Sequence, residues 1–135
     1  MVDCFDGLVT SWSMGGSPNA ELVNSILNAT IANLKDGEHP IVHSDRGCHY
    51  RWPGWIQRMD DNNLIRSMSR KGCSADNSAS EGFFWRLKNE MFYKRDWKDV
   101  SLDEFINIVN NYIKWYNETR IKQTLGYKSP IENIL

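Results

Sequence analysis

From Val100 to Tyr116 the apolar side chains Phe105, Ile108, Val109, Tyr112, Ile113 and Tyr116 recur at the spacing of one buried helix face. This is the most regular stretch of the chain and predicts a helix. A second helix is expected after Ser17, with Pro18 at its first position, where a missing N–H costs nothing. Its apolar face is Leu22, Val23, Ile26, Leu27, Ile31 and Leu34, and Gly37 ends it. A short helix is expected from about Pro53, with Trp55, Ile56 and Met59 inward. Farther on, Ser80, Phe84, Leu87 and Met91 recur as a core stripe, with Glu81, Trp85 and Lys88 on the adjoining stripe.

Between these lie shorter patterns. Residues 2–14 hold a turn signal, Asp6-Gly7, between two runs rich in Val, Phe, Thr and Trp, which predicts a hairpin. Ile41-Val42-His43 is a short apolar run that stops at Ser44-Asp45-Arg46-Gly47, so Asp45 is expected at the end of a buried strand. Asn63 to Ser67 reads as another short strand, giving an alternating α/β order. Ser69 to Asn77 is polar and aperiodic and reads as a mobile loop. The tail from Asn117 is expected to be irregular until a last turn after Pro130.

With 135 residues and 41% apolar content, the chain fits one domain with a core of its own. Its apolar runs are too short to span a membrane, and its start lacks the basic flank and long apolar stretch of a secretion signal, which points to the cytoplasm. Cys4, Cys48 and Cys73 form no C-x-x-C pair and are odd in number, so neither a disulfide framework nor a zinc site is expected. The formal net charge of −1 is unevenly spread: residues 1–63 carry 4 basic and 8 acidic side chains, net −4, and residues 64–135 carry 12 and 9, net +3. If either half faces DNA, it is the second.

Phosphodiester cleavage and strand transfer need an attacking and a leaving oxygen stabilised in line, which two divalent cations roughly 3.5 to 4 Å apart can do. Such hard cations take carboxylates. An acid at a strand end and another in the first turn of a helix are a sensible way to converge on them, although spacing alone does not separate Asp45 and Glu81 from ordinary surface acids.

The residues around the two acids do. His43-Ser44-Asp45-Arg46-Gly47-Cys48-His49-Tyr50 resembles the H-S-D-x-G-x-x-Y block of the insertion-sequence transposases related to retroviral integrases. Asp76-Asn77-Ser78-Ala79-Ser80-Glu81-Gly82-Phe83-Phe84 resembles their D-N-x-x-x-E-x-F-F block, and 35 residues separate Asp45 from Glu81, the interval of this D-D-E family. Leu87-Lys88-Asn89-Glu90 is similar to its L-K-x-E block. Tyr116-Asn117-Glu118-Thr119-Arg120, through Leu125 and Pro130, is similar to its ending.

The resemblance covers essentially residues 1–135, as part of one integrase-core catalytic domain. It implies an RNase H-like mixed sheet with helices on both faces. It also implies DNA as partner, both element ends and target, with a homo-oligomer assembled on it. Asp45 and Glu81 would be catalytic ligands of Mg²⁺ or Mn²⁺, two ions in the complete enzyme, with their carboxylates within about 8 Å of each other. Lys88, two turns after Glu81, and Arg70 and Lys71 are the expected phosphate contacts. His43 and His49 are read as positioning residues. The six tryptophans are read as core and rim side chains rather than base-stacking platforms.

The family's first catalytic aspartate lies on a strand preceding the one that matches Val2-Asp3-Cys4-Phe5, so the fold is expected to lack its first strand and Asp3 is not a substitute ligand. On this reading the chain alone is inactive. The alternative is a remnant that only binds DNA or dimerises. Gly82, inside a helix, is an oddity that permits a close approach of backbone or DNA.

Overall fold

The computed structural model describes residues 1–17 and 19–135, with Ser74 and Ala75 described by their backbone alone; Pro18, expected at the first helical position, lies outside the described residues. The chain divides into two units, one of Met1 and Ser11–Ser78, the other of Val2–Thr10 and Ala79–Leu135.

In the first unit, helix α1 (Ala20–Ala32) starts where Asn19 Oδ1 accepts the Leu22 N–H at 2.8 Å, which satisfies one of the free amides of the first turn. Its expected apolar face is the buried one, with Leu27 fully enclosed. Strand β1 (Ile41–Ser44) pairs in parallel with β2 (Ile65–Met68), in the register Ile41↔Ile65 through Ser44↔Met68. Helix α2 (Pro53–Asp61) lies between them in sequence, as a parallel pair requires of its connection. Leu27, Trp55, Met59 and Leu64 form the core, with Val23, Ile31, Leu34, Val42 and Tyr50 against it. The elements of this half fall where the sequence places them, but α1 ends at Ala32 rather than at Gly37, and β1 is not the expected buried strand, since Ile41 is 65% exposed.

Residues 69–77 differ from the expected mobile loop. Arg70 donates to Asp76 three times at 2.9 Å, from its backbone N–H, Nε and Nη2, and Ser74–Asn77 form a turn of 3₁₀ helix. The aperiodic sequence hid a local ion pair that ties the segment to itself.

In the second unit, α3 (Ser78–Leu87) runs into a π-helical turn over Lys88–Phe92, and α4 (Leu102–Glu118) is opened by a capping box in which Ser101 and Glu104 bond each other's backbone amides. The helix α5 (Pro130–Ile134) has its own capping box from Ser129 and Glu132 and packs on α4. The α4 face is the one the periodicity predicts: Val109, Tyr112, Ile113 and Tyr116 are buried.

The α3 face agrees only in part. Met91 is buried as expected, but Phe83, at 5% exposed, takes the place expected of Phe84, at 55%. Phe83 stands edge-on to Tyr116, with ring centroids 5.1 Å apart, and this contact chooses between two adjacent phenylalanines that periodicity alone could not rank. The expected hairpin is reduced to one antiparallel bridge, Val2↔Val9, closed by Asp3 N–H to Leu8 O at 2.8 Å. Among the described residues the one named sheet has two strands, so the fold is a mixed α/β arrangement with far more helix than strand.

Candidate functional site

Asp45 follows directly on the last residue of β1 and is exposed. Its Oδ1 accepts the Gly47 N–H at 2.8 Å. A Cβ at Gly47 would stand 2.9 Å from that oxygen and 3.4 Å from the Tyr50 ring, so a side chain there would shift the carboxylate from this position. Glycine at 47 is thus what lets the loop fold back on the carboxylate. Tyr50 completes the support: its ring meets Trp55 edge-on at 5.0 Å, and burial, then the nearby Asp45 charge, push its phenol above the ordinary value. These contacts give a physical reason for D-x-G-x-x-Y spacing.

The histidines beside Asp45 are engaged otherwise. His43 Nδ1 is 2.8 Å from Ser67 Oγ and Nε2 is 3.1 Å from Ser69 Oγ, so its ring braces β1 against β2 and the serine just beyond that strand. His49 meets Trp52 edge-on at 4.5 Å.

Glu81 sits in the first turn of α3, exposed, on the wall of an open groove of about 630 Å³ lined also by Phe84, Trp85, Lys88, Asn89 and Tyr93. Lys88 shares that groove, as its place two turns on requires. Asp45 belongs to the first unit and Glu81 and Lys88 to the second. Arg70, expected to meet phosphate, has its guanidinium forked onto Asp76, which holds that carboxyl well below the usual range, while Lys71 is exposed in the turn before Gly72. Among the described residues, no three His, Cys, Asp or Glu side chains are gathered as a metal site.

A further set of polar residues went unassigned in the sequence. Glu90 accepts from Arg120 Nε at 2.8 and 3.0 Å, from Arg120 Nη2, and from the Tyr112 hydroxyl at 2.8 Å. Burial opposes the charge on Glu90, but the bonds from Arg120 and Tyr112 outweigh it and hold the carboxyl below its ordinary value. The same bonding, with burial as its first cause, pushes the Tyr112 phenol up. Asn117 accepts the Val9 N–H and donates to the Val9 carbonyl, both at 2.9 Å. The available signal was that Glu90, Asn117 and Arg120 all fall in the two later motif blocks.

A family description, integrase core domain, matches residues 81–133. The chain is 57% identical over 132 residues, 98% of its length, to the "Probable transposase for insertion sequence element IS1353" of Shigella flexneri, covering 26% of that protein. It is 33% identical over 131 residues to the "Transposase InsF for insertion sequence IS3A" of Escherichia coli K12, covering 96% of this chain and 45% of the relative. The "Transposase for insertion sequence element IS629" of Shigella sonnei is 26% identical over 133 residues, with coverage of 98% and 44%. The chain matches a segment of insertion-sequence transposases, and its second half an integrase core. It spans from 26% to 58% of the length of the first of the curated transposases it matches. No solved structure matches the chain. No helix among the described residues of this transposase segment is long and apolar enough to cross a membrane.

Proposed function

We propose that this chain is the part of an RNase H-like transposase core, residues 1–135 of one catalytic domain, that supplies two of the acids for DNA cleavage and joining. The observation that supports it most directly is Asp45: a carboxylate just beyond the end of a parallel strand, exposed, and accepting the Gly47 N–H. Asp45 and Glu81 are exposed carboxylates, which is the donor chemistry Mg²⁺ or Mn²⁺ requires. When bound, such ions polarise the scissile phosphate and stabilise the attacking and leaving oxygens.

The residues of the chain have separate tasks on this reading. Asp45 and Glu81 hold the metal, Glu81 from the first turn of a helix and Asp45 from the residue directly after a strand. The Gly47 N–H orients Asp45. Lys88, with Lys71 and Arg70, takes the phosphates of the element end or target, and the Arg70 fork to Asp76 is opened or shared when phosphate arrives. DNA binding is then sequence-independent, and the complete enzyme acts as an oligomer on its DNA.

The test is Mg²⁺- or Mn²⁺-dependent cleavage and joining of labelled element-end DNA by this chain and by a form extended upstream through a strand ending in aspartate. Activity is expected in the extended form and abolished there by Asp45→Asn and by Glu81→Gln, with thermal stability unchanged because both side chains are exposed. Gly47→Ala is expected to reduce activity by displacing the Asp45 carboxylate. Full activity in Asp45→Asn or Glu81→Gln would reject the site.

A further inference from the structure

The groove beside Glu81 contains more aromatic surface than a metal or phosphate site needs. Trp85 and Tyr93 are each 67% exposed and Phe84 is 55% exposed, and all three line it. Leaving three large rings in water forgoes the burial that such side chains ordinarily gain.

Their arrangement depends on the π-turn. A regular α-helix advances about 100° per residue, which would set Tyr93 some 80° round the axis from Trp85. The turn over Lys88–Phe92, closed by the Tyr93 N–H to Lys88 O at 2.8 Å, accommodates one extra residue. One extra residue winds the helix back by about 100° and returns Tyr93 to the Trp85 stripe. Asn89 Nδ2 donates to the Trp85 carbonyl at 2.8 Å and fixes the backbone at the start of this turn. The result is two rings on one line with an ammonium, Lys88, between them in sequence and Glu81 one turn before Trp85.

The charges favour an anion-bearing partner. From Arg86 to Lys98 five basic residues (Arg86, Lys88, Lys94, Arg95, Lys98) stand against two acidic ones (Glu90, Asp96), and Glu90 is already bound to Arg120. Flat apolar faces flanked by cations match a nucleotide whose base is out of its stack: the base lies on a ring and its phosphate meets the lysine. A paired duplex hides its base faces and meets only the cation.

We propose that the Trp85–Tyr93 groove is a stacking site for an unpaired nucleotide of the DNA strand held at Glu81, with Lys88 on its phosphate. This rests on the functional reading above for what lies at Glu81. The groove therefore discriminates a frayed or single-stranded end from a closed duplex, and its specificity is for strand form rather than base sequence.

The probe is a fluorescein-labelled oligothymidylate compared with a hairpin duplex of the same length, titrated with the full chain without divalent metal and followed by anisotropy. Trp85→Ala is expected to weaken single-strand binding about ten-fold while leaving duplex binding within a factor of two, and Trp85→Phe to restore most of the loss. Tyr93→Ala should act in the same direction. Trp85 is mostly exposed, so the variants keep the wild-type melting temperature. No loss in Trp85→Ala, or an equal loss for both DNA forms, overturns the proposal. Sedimentation showing that wild type self-associates and Trp85→Ala does not assigns the groove to a second copy of the chain and also overturns it. A separate Mn²⁺ titration of Glu81→Gln tests the metal reading. Unchanged Mn²⁺ affinity rejects that reading and leaves the strand-form result to stand by itself.

Discussion

The carboxylate of Glu90, at the π-turn, is gripped by the guanidinium of Arg120, beyond the end of α4, across 30 residues of sequence. The two residues come from different motif blocks, so one interaction accounts for part of both. Glu90 has a folded pKa below its ordinary value, so it contributes stability that is complete above about pH 4.3 and is lost as pH falls through the lowered folded value. Urea melts across acid pH are expected to show a smaller loss in Glu90→Gln than in wild type, the remainder coming from other carboxylates such as Asp76. At neutral pH, a double-mutant cycle of Glu90→Gln and Arg120→Gln should give a coupling of about 1 kcal/mol. Zero coupling would mean the pair merely coexists.

Asn117 replaces a missing strand partner for Val9 by bonding both its backbone N–H and its carbonyl. Asn117→Ala leaves two buried polar groups unpaired, and a loss of about 2 to 4 kcal/mol is expected in chemical denaturation. Asn117→Asp should cost at least as much at neutral pH, since it sets a carboxylate oxygen against the Val9 carbonyl and buries a charge. A clearly smaller loss in Asn117→Asp would show that the Val9 carbonyl bond contributes little.

Gly82 lies inside α3, and a Cβ there would meet only the mobile tip of Arg86, Nη1, at 3.3 Å. Gly82→Ala is therefore expected to raise stability by about 0.5 to 1 kcal/mol, because it removes freedom from the unfolded chain at a site that accepts a methyl group. If the glycine admits DNA closely, the same variant weakens DNA binding while melting higher, a split readable from one preparation.

Duplex binding by the chain is expected to depend steeply on salt, each neutralised phosphate adding about 0.9 to the slope of log affinity against log salt concentration. Lys88→Ala should lower that slope by about one and weaken binding on any sequence alike. A slope that does not change would take Lys88 out of the interface.

Sequence patterns carried the helices best where composition left one solution. In α4, six apolar residues at helical spacing fixed the buried face, and the structure adds the start, a capping box of Ser101 and Glu104. In α3, Phe83 and Phe84 are adjacent, and the tertiary contact with Tyr116 decided between them. Asp45 and Glu81 stood out through the motif blocks around them, since an acid at a strand end and another in a first helical turn are by themselves ordinary. Arg70 with Asp76 was not, since opposite charges six residues apart in a polar stretch look like solvated loop residues. The groove was hidden too, because Tyr93 reaches Trp85 only through a π-turn, and no local pattern reports one.

The second unit is built from residues 2–10 and 79–135, with the whole of 11–78 inserted between. On a ribosome, synthesis runs from the amino end, so Val9 emerges more than a hundred residues before Asn117 exists to receive it. The inserted segment has its own core and its own parallel strand pair and can close first, carrying Asp45 to its strand end. Glu81 and its groove wait until α4 has been released. A nascent chain cut short before α4 would thus display a finished Asp45 loop while α3, whose Phe83 packs on Tyr116, still lacks its partner, so the two carboxylates come into place at different times.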